Sequence, residues 1–216
     1  MSTIKTDVPN LATAFVPKSH DETKAHYANW AKSYDDDLRT TFFGPQRLVE
    51  LVLKWVPADF DKNSRILDIG AGTGKVGLLL KEHGFHNVDG HDGSEDMLDR
   101  AREQNAYKNY YCEMLHESEP SKTLPFDAYD LIVAIGVFNA GHLGYKHLAH
   151  FLRAAKSGGH IIFGISNVAF NIDEFRSHLC VYNKEWTSIG SIHVQDYITS
   201  CPDRDPSATF YHYIKN

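Results

Sequence analysis

The chain has 216 residues, of which 42% are hydrophobic and 23% charged, as expected for one soluble folded domain and not for a disordered chain. Its 22 basic and 28 acidic residues give a net charge of −6 without a basic run, which argues against nucleic acid as the main partner. No apolar stretch approaches the roughly 20 residues of a membrane span, and no signal peptide is recognisable. The three cysteines lack metal-ligand and disulfide spacing, so we expect a cytoplasmic protein without a metal.

The N-terminal part of the chain is expected to form an arm followed by two helices. Residues 1–18 carry two prolines and little periodicity, which predicts a flexible arm. Ser19 and Glu22 have the spacing of a capping box, in which each side chain satisfies a free backbone N–H group, so a helix should begin there. A second helix should begin at Pro45 and end at Pro57.

Aromatic side chains form one face of the first predicted helix. Tyr27, Trp30 and Tyr34 follow one another at helical spacing. Packing alone would account for such a stripe, but the polar ends of the tyrosines are also suited to cover a ligand. We interpret residues 19–57 as a helical lid on a single domain that spans residues 19–216, with Trp30 in a packing role.

The chain from residue 65 onward alternates between short apolar runs and helical patterns. The predicted strands cover residues 65–69, 87–91, 110–113, 130–135 and 160–165, and the predicted helices cover residues 74–83, 95–104 and 143–156. After residue 168 we expect a helix over 172–179 and two strands over 187–198 and 208–215. This order predicts a doubly wound, Rossmann-like α/β sheet of seven strands, mostly parallel, with helices on both faces and a C-terminal antiparallel hairpin.

The segment ILDIGAGTGKVG, residues 66–77, predicts a strand, a tight glycine turn and the start of a helix. In a doubly wound sheet this turn lies at the carboxyl ends of the strands, where ligands bind. Gly72, Gly74 and Gly77 also form the GxGxxG pattern of dinucleotide sites, and Asp92 follows Gly72 by 20 residues. A nicotinamide-dependent oxidoreductase is therefore one alternative.

An acidic residue in front of the glycine turn favours a different ligand. Asp68 precedes Gly70, Gly72 and Gly74 at alternate positions, and its charge would repel the pyrophosphate of a dinucleotide. The same carboxylate would attract a cationic amine or sulfonium. S-adenosylmethionine (SAM) contains both of these groups, and its ribose offers hydroxyl groups to Asp92. The sequence therefore favours SAM over NAD.

Several segments, in the expected order, resemble class I SAM-dependent methyltransferases. They are DIGAGTG, GHDGSEDML, LPFDAYDLIVA and AAKSGGHIIF, and HYANWAKSYDDDL is similar to the lid of many small-molecule methyltransferases. Within that superfamily the whole pattern is most similar to the branch represented by the methyltransferase-like protein of the Williams–Beuren syndrome region. The resemblance implies a methyltransferase that uses SAM and releases S-adenosylhomocysteine (SAH).

The resemblance also implies roles for the residues at the matching positions of the first two strands. Asp68 would reach the methionine amino group through water, and Asp92 would bind both ribose hydroxyls. Gly93 would let the adenine lie flat against the chain. Backbone contacts to the methionine and ribose would come from the glycine turn, namely from Gly70, Ala71, Gly72 and Gly74.

Further cofactor contacts implied by the resemblance lie later in the chain and in the lid. Met97 would pack on the adenine, and Glu113 and Met114 stand where the family reads the adenine edge. The family usually has aspartate at the position of Glu113, so its side-chain contact is less secure than a backbone contact. The remaining expected contacts close the site from the far side and from the lid, and come from Ile135, Gly136, Tyr27 and Tyr34.

The loop after the fourth predicted strand is the part of the chain expected to lie beside the methyl acceptor. His142 lies where an acceptor would enter and is the candidate general base, although a solvated loop histidine is the simpler interpretation. The segment 136–139 reads GVFN and lacks the NPPY-like tetrad that serves amide and base nitrogens. The missing tetrad makes the nitrogens of bases and of glutamine less expected as acceptors. The small size of the chain and its lack of a basic surface favour a small-molecule acceptor. A non-catalytic protein that binds SAM or SAH is the second alternative.

Overall fold

The computed structural model describes residues 5–16, 18–139, 142–168 and 172–216. Its α-helices are α1 (Pro9–Ala14), α2 (His20–Trp30), α3 (Tyr34–Leu38), α4 (Gly44–Trp55), α5 (Lys75–Glu82), α6 (Glu95–Glu103), α7 (Leu148–Ala154) and α8 (Ile172–Leu179). Its strands are β1 (Ile66–Ile69), β2 (Val88–Asp92), β3 (Tyr110–Cys112), β4 (Tyr129–Ala134), β5 (Ala155–Ser166), β6 (Trp186–Val194) and β7 (Ala208–Lys215). Among these described elements, no helix has the length and apolar character needed to cross a membrane.

The described strands form one seven-stranded sheet with the order β3-β2-β1-β4-β5-β7-β6. Strands β1 to β5 pair in parallel, whereas β7 runs antiparallel to both β5 and β6. The predicted fold class is confirmed, including the antiparallel hairpin at the C-terminus. The strand order reverses between β1 and β4, and ligands bind at the carboxyl ends of the strands beside such a reversal.

Helices cover both faces of the sheet because successive residues of a buried strand point to opposite sides. In β1, Ile66 packs in one apolar cluster with Leu48 of α4 and Leu80 of α5. The next residue, Leu67, belongs to a separate cluster with Phe151 of α7. All five side chains are fully buried, which explains why the strands read as continuous apolar runs.

The first 18 residues contain a helix where the sequence predicts an arm. Helix α1 has only six residues and begins at Pro9, a favourable first-turn residue. Leu11 and Ala14 are buried in the same cluster as Trp30 of α2. A helix this short is unstable in isolation, so it depends on this packing and leaves little periodicity in the sequence.

The other differences concern the ends of elements. The predicted helix over 143–156 is divided into a 3-10 turn, Tyr145–His147, and α7. Strand β5 begins at Ala155, earlier than predicted, and passes through Gly158, whose φ is 77°. Strand β6 ends at Val194, short of the predicted residue 198, because Ile198 pairs with Phe42 in an isolated bridge instead.

Two glycines leave room for the ring of Tyr107 beside the sheet. A Cβ atom on Gly77 would lie 2.4 Å from this ring, and one on Gly90 would lie 2.5 Å from it. Tyr107 is buried in this slot. Gly77 is the third glycine of the GxGxxG pattern, so packing against Tyr107 accounts for it without a dinucleotide.

We expect Gly77→Ala to lower the free energy of unfolding by about 1–3 kcal/mol, the usual cost of overpacking a core. The added methyl group would collide with the Tyr107 ring and with the Ala106 carbonyl oxygen. Urea denaturation measures this difference. Gly190→Ala is the matched control, since a Cβ atom there meets nothing within 4 Å. Equal stability of the two variants would contradict the explanation.

Candidate active site

A cavity lies at the carboxyl ends of β1, β2 and β4, with α2 across it. This first cavity contains about 810 Å³ of empty space including its mouth, within the range of about 300–1,000 Å³ that is usual for small-ligand sites. The predicted site residues that line it are Tyr27, Tyr34, Gly70, Gly72, Asp92, Gly93, Met97, Glu113, Met114, Ile135, Gly136 and His142. The structure therefore brings together residues from distant parts of the sequence. Three predicted residues do not line it: Asp68, Ala71 and Gly74.

Gly70 and Gly72 shape the wall of the first cavity through backbone conformations that most residues avoid. Their φ angles are 79° and 52°. A Cβ atom on Gly70 would lie 1.8 Å from the Val137 side chain, whereas one on Gly72 would meet nothing within 4 Å. Gly70 thus admits the loop after β4, and Gly72 leaves its backbone accessible from the cavity.

Gly74 and Ala71 serve the packing of the turn. A Cβ atom on Gly74 would lie 2.5 Å from the Cβ of Ala106, so this glycine lets α5 begin close to the segment after α6. The buried Ala71 accepts hydrogen bonds at its carbonyl from the Gly74 N–H at 3.0 Å and the Tyr107 hydroxyl at 3.3 Å. Both residues face the protein interior, which is why they do not line the first cavity as the resemblance led us to expect.

Asp68 places a buried carboxylate behind the glycine turn. Its side chain is 1% exposed, and Oδ2 accepts a hydrogen bond from the Tyr107 hydroxyl at 2.6 Å. The other oxygen, Oδ1, has no hydrogen-bond partner among the described residues. Burial raises the pKa of Asp68 to about 7, although the hydrogen bond from Tyr107 acts in the opposite direction. A buried, half-satisfied carboxylate is costly and marks a position suited to a cationic ligand group.

Asp92, the last residue of β2, joins the glycine turn to the following loop. Its Oδ2 accepts the Gly72 N–H and its Oδ1 accepts the Ser94 N–H, both at 2.8 Å. Burial raises the pKa of Asp92, while the N–H groups of Ser94 and Gly72 favour the charged form. A carboxylate has about four acceptor positions, so Asp92 can still accept hydrogen bonds from hydroxyl groups in the cavity.

The α6 side of the first cavity is apolar. Met97 is 2% exposed, and the Sδ of Met114 would lie 2.0 Å from a Cβ atom on Gly93. Gly93 therefore leaves the space that the Met114 thioether occupies beside the cavity. Flexible thioether side chains adapt well to the face of a flat ring.

Glu113 anchors a loop in this structure. Its carboxylate accepts hydrogen bonds from the backbone N–H groups of Lys122 and Thr123, at 2.8 and 3.1 Å, and from the hydroxyls of Ser121 and Thr123. Burial acts to raise the pKa of Glu113, but these hydrogen bonds lower it to about 2. With both oxygens engaged, Glu113 lines the cavity mainly with the rest of its side chain, and its expected contact with adenine stays a prediction.

Helix α2 begins with the predicted capping box between Ser19 and Glu22. Its Tyr27 lines the first cavity, and the Tyr27 hydroxyl lies 3.0 Å from Nε2 of His142. Trp30 is 1% exposed and packs in the core, as its predicted role requires. The aromatic face of α2 therefore combines packing with a contact to the candidate base.

Some residues at the first cavity were outside the prediction. Thr23 and Lys24 line it one helical turn before Tyr27, and helical spacing would have identified them. Tyr107 lies 39 residues from Asp68 and contacts it only through the fold, so no sequence pattern indicated this pair. Among the described residues, no cluster of histidine, cysteine, aspartate and glutamate is suited to bind a metal ion.

Comparisons with known proteins agree with this geometry. A family model for a methyltransferase domain matches residues 66–159. Human methyltransferase-like protein 27 is 30% identical over 135 residues, which cover 62% of this chain and 53% of that protein. A TehB-like SAM-dependent methyltransferase from Corynebacterium glutamicum has 19% identity and a TM-score of 0.61, and the alignment covers 89% of this chain and 99% of that chain. Residues 66–159 therefore match a methyltransferase domain, and the fold of the chain is similar to that of a SAM-dependent methyltransferase.

The chain spans only part of the length of its curated relatives. N-terminal Xaa-Pro-Lys N-methyltransferase 1 of Danio rerio is 36% identical over 97 residues, which cover 43% of this chain and 41% of that protein. The chain thus spans about half, or less, of the length of these relatives. The part matched by the family model contains the glycine turn, Asp92 and Ile135.

We expect Asp68→Asn to stabilise the ligand-free protein more at pH 8 than at pH 5. The pKa of Asp68 in the folded protein, about 7, exceeds the value of about 3.9 in an unfolded chain. Between these values the folded state binds more protons, so stability falls as the pH rises towards 7 and then levels off. Asparagine carries no charge and so removes this loss of folding stability, which is on the order of 1–4 kcal/mol at pH 8.

Urea denaturation at the two pH values measures this effect. Asp96→Asn, an exposed position on α6, is the matched control. If Asp68→Asn raised the free energy of unfolding equally at both pH values, the buried charge would not be the source of the stabilisation.

Proposed function

We propose that this chain is a SAM-dependent methyltransferase that methylates a small-molecule acceptor. One observation carries the proposal: at one corner of the first cavity, the carboxylate of Asp92 meets the open backbone of Gly72, beside the apolar wall of Met97 and Met114. This combination suits a ribose that is joined to a flat base. Asp68, behind the same turn, supplies negative charge for a cationic group.

The residues present fit SAM on observations of this structure. Asp68 has a buried oxygen without a partner, which matches an ammonium group reached through water. Gly72 has open space where other residues carry a side chain. We assign ribose binding to Asp92 and adenine packing to Met97 and Met114, as the resemblance implies.

Bound SAM supplies a methyl group that is already activated by its sulfonium. The protein then has to position the acceptor in line, exclude water and, for a protonated acceptor, remove a proton. Helix α2 covers the first cavity through Tyr27, which suits water exclusion. His142, in hydrogen-bond contact with Tyr27, is our candidate for the base.

Coverage by α2 supports a small acceptor, since the first cavity is bounded on that side by Thr23, Lys24 and Tyr27. One curated relative is named for N-terminal Xaa-Pro-Lys, so a protein N-terminus is the competing acceptor class that a screen must include. The net charge of −6 disfavours a nucleic acid. The free cysteines Cys112 and Cys180 support a reducing compartment such as the cytoplasm.

We expect calorimetric titration to show SAH binding in the micromolar range and no binding of NAD. Asp92→Ala should weaken SAH binding by about 10- to 100-fold, the effect of losing hydrogen bonds to a charged group. Asp96→Ala, an exposed aspartate of α6, is the matched control and should bind SAH normally. Binding of NAD without SAH would overturn the proposal, and SAH binding without turnover of any acceptor would favour a non-catalytic binder.

We also expect SAH to slow amide hydrogen exchange in residues 19–37. Tyr27 and Tyr34 from this segment line the first cavity, so a ligand there adds contacts that hold the lid closed. Helix α4, which packs on the sheet, is the internal control and should change little. Equal protection of residues 19–37 with and without SAH would contradict a lid function.

A further inference from the structure

A second cavity adjoins the first and shares three lining residues with it, Tyr27, Tyr34 and Gly136. It contains about 490 Å³ of empty space, including its mouth, between the N-terminal helices and the carboxyl end of β5. Gly136 has a φ of 72°, and a Cβ atom there would lie 3.4 Å from the Phe42 ring. A Cβ atom would thus be in ordinary contact with Phe42, and the left-handed backbone conformation is what favours glycine at the junction between the two cavities.

Aromatic rings dominate the wall of the second cavity, and they include Trp30, Phe42, Phe138 and Tyr197. The rings of Trp30 and Tyr34 contact each other edge to face, with 4.7 Å between their centroids. The rings of Phe42 and Tyr197 do the same, with 5.2 Å between their centroids. None of the described residues that line this cavity is an aspartate, glutamate, lysine or arginine. A charged ligand would therefore lose its hydration without a compensating partner.

The boundary between the cavities carries a pair of groups that can move a proton. Tyr27 lines both cavities, whereas His142 lines only the first. The Tyr27 hydroxyl lies 3.0 Å from Nε2 of His142. A hydroxyl group in the second cavity could thus be connected to the histidine through the tyrosine.

We propose that the second cavity is the acceptor site and that it takes a neutral aromatic small molecule with a ring hydroxyl, whose proton passes through Tyr27 to His142. This inference rests on the proposed function and specifies its substrate class. The ring-lined, uncharged wall selects a flat, neutral molecule. An aromatic hydroxyl, with a pKa near 10 in tyrosine, loses its proton more readily than an aliphatic alcohol.

The reaction balances within these groups. The acceptor oxygen forms a bond to the methyl carbon while the carbon–sulfur bond breaks, and the electron pair of that bond stays on sulfur. The hydroxyl proton moves to the Tyr27 oxygen as the Tyr27 proton moves to Nε2 of His142. The products are an aryl methyl ether, SAH and a protonated imidazole. Burial raises the pKa of Tyr27 well above its usual value, so Tyr27 passes the proton on and does not become an anion.

The binding test uses the whole chain saturated with SAH and three probes, 1-naphthol, 1-naphthoate and 1-naphthylmethylamine. We expect 1-naphthol to bind at least about tenfold more tightly than either charged probe. Ala14→Phe fills the second cavity without touching the first and should abolish 1-naphthol binding, with SAH affinity within about twofold of normal. Thr13→Phe, at an exposed position of α1, is the matched control.

The relay test follows methyl transfer to phenol, 1-naphthol and 2-naphthol. Tyr27→Phe and His142→Gln should each lower kcat by about 100-fold, while 1-naphthol binding changes little. The double variant should be no slower than either single variant, because both groups act in one proton path. Additive losses would indicate separate structural effects and would overturn the relay.

The outcomes separate the two proposals. Failure of SAH to bind the wild-type chain would refute the proposed function. With SAH bound, preference for a charged probe, 1-naphthol binding that survives Ala14→Phe, or binding of all three hydroxyl compounds without methylation would refute the acceptor assignment alone. Methylation of an Xaa-Pro-Lys peptide but of no phenol would point to a protein acceptor instead.

Discussion

The hydrogen bond from Tyr107 to Asp68 is the constraint on which the rest of the site depends. Asp68 lies on a central parallel strand, where the fold removes its carboxylate from water. Tyr107 can reach it only because Gly77 and Gly90 provide space for the ring. One oxygen is satisfied in this way and the other is not, so the Asp68 carboxyl group has a raised pKa and would be stabilised in its charged form by a cationic ligand group.

The second carboxylate of the site, Asp92, shapes the cavity and interacts electrostatically with Asp68. Asp92 holds Gly72 and Ser94 through backbone N–H groups and thereby sets the shape of the cavity at the end of β2. Burial raises the pKa of both Asp68 and Asp92, and the charge of Asp92 raises that of Asp68 further. A cationic ligand relieves this repulsion. Asp68 and Asp92 therefore affect both the folding stability of the protein and its affinity for the ligand.

Much of the fold and part of the site could be predicted, because the patterns that indicate them are local. Alternating strand and helix patterns predicted the parallel sheet. The sequence also assigned Gly72 and Asp92 to one ligand site, and the structure joins these two residues by a hydrogen bond. Helix α1 was not predicted, since its stability comes from burial of Leu11 and Ala14 and not from its six residues alone. The helix over 143–156 was predicted in one piece, whereas the structure has a 3-10 turn that is followed by α7 and, from Ala155, by β5.

By itself, the sequence determined the fold class and the similarity of residues 66–159 to a methyltransferase domain, because short motifs that follow one another in order indicate both. It also placed His142 in the loop beside the site. Only the tertiary structure decided that Tyr107 satisfies Asp68, that His142 contacts Tyr27, and that two cavities meet at Gly136. These contacts join residues up to 115 positions apart, and contacts between such distant residues arise from packing, which leaves no periodic pattern in the chain.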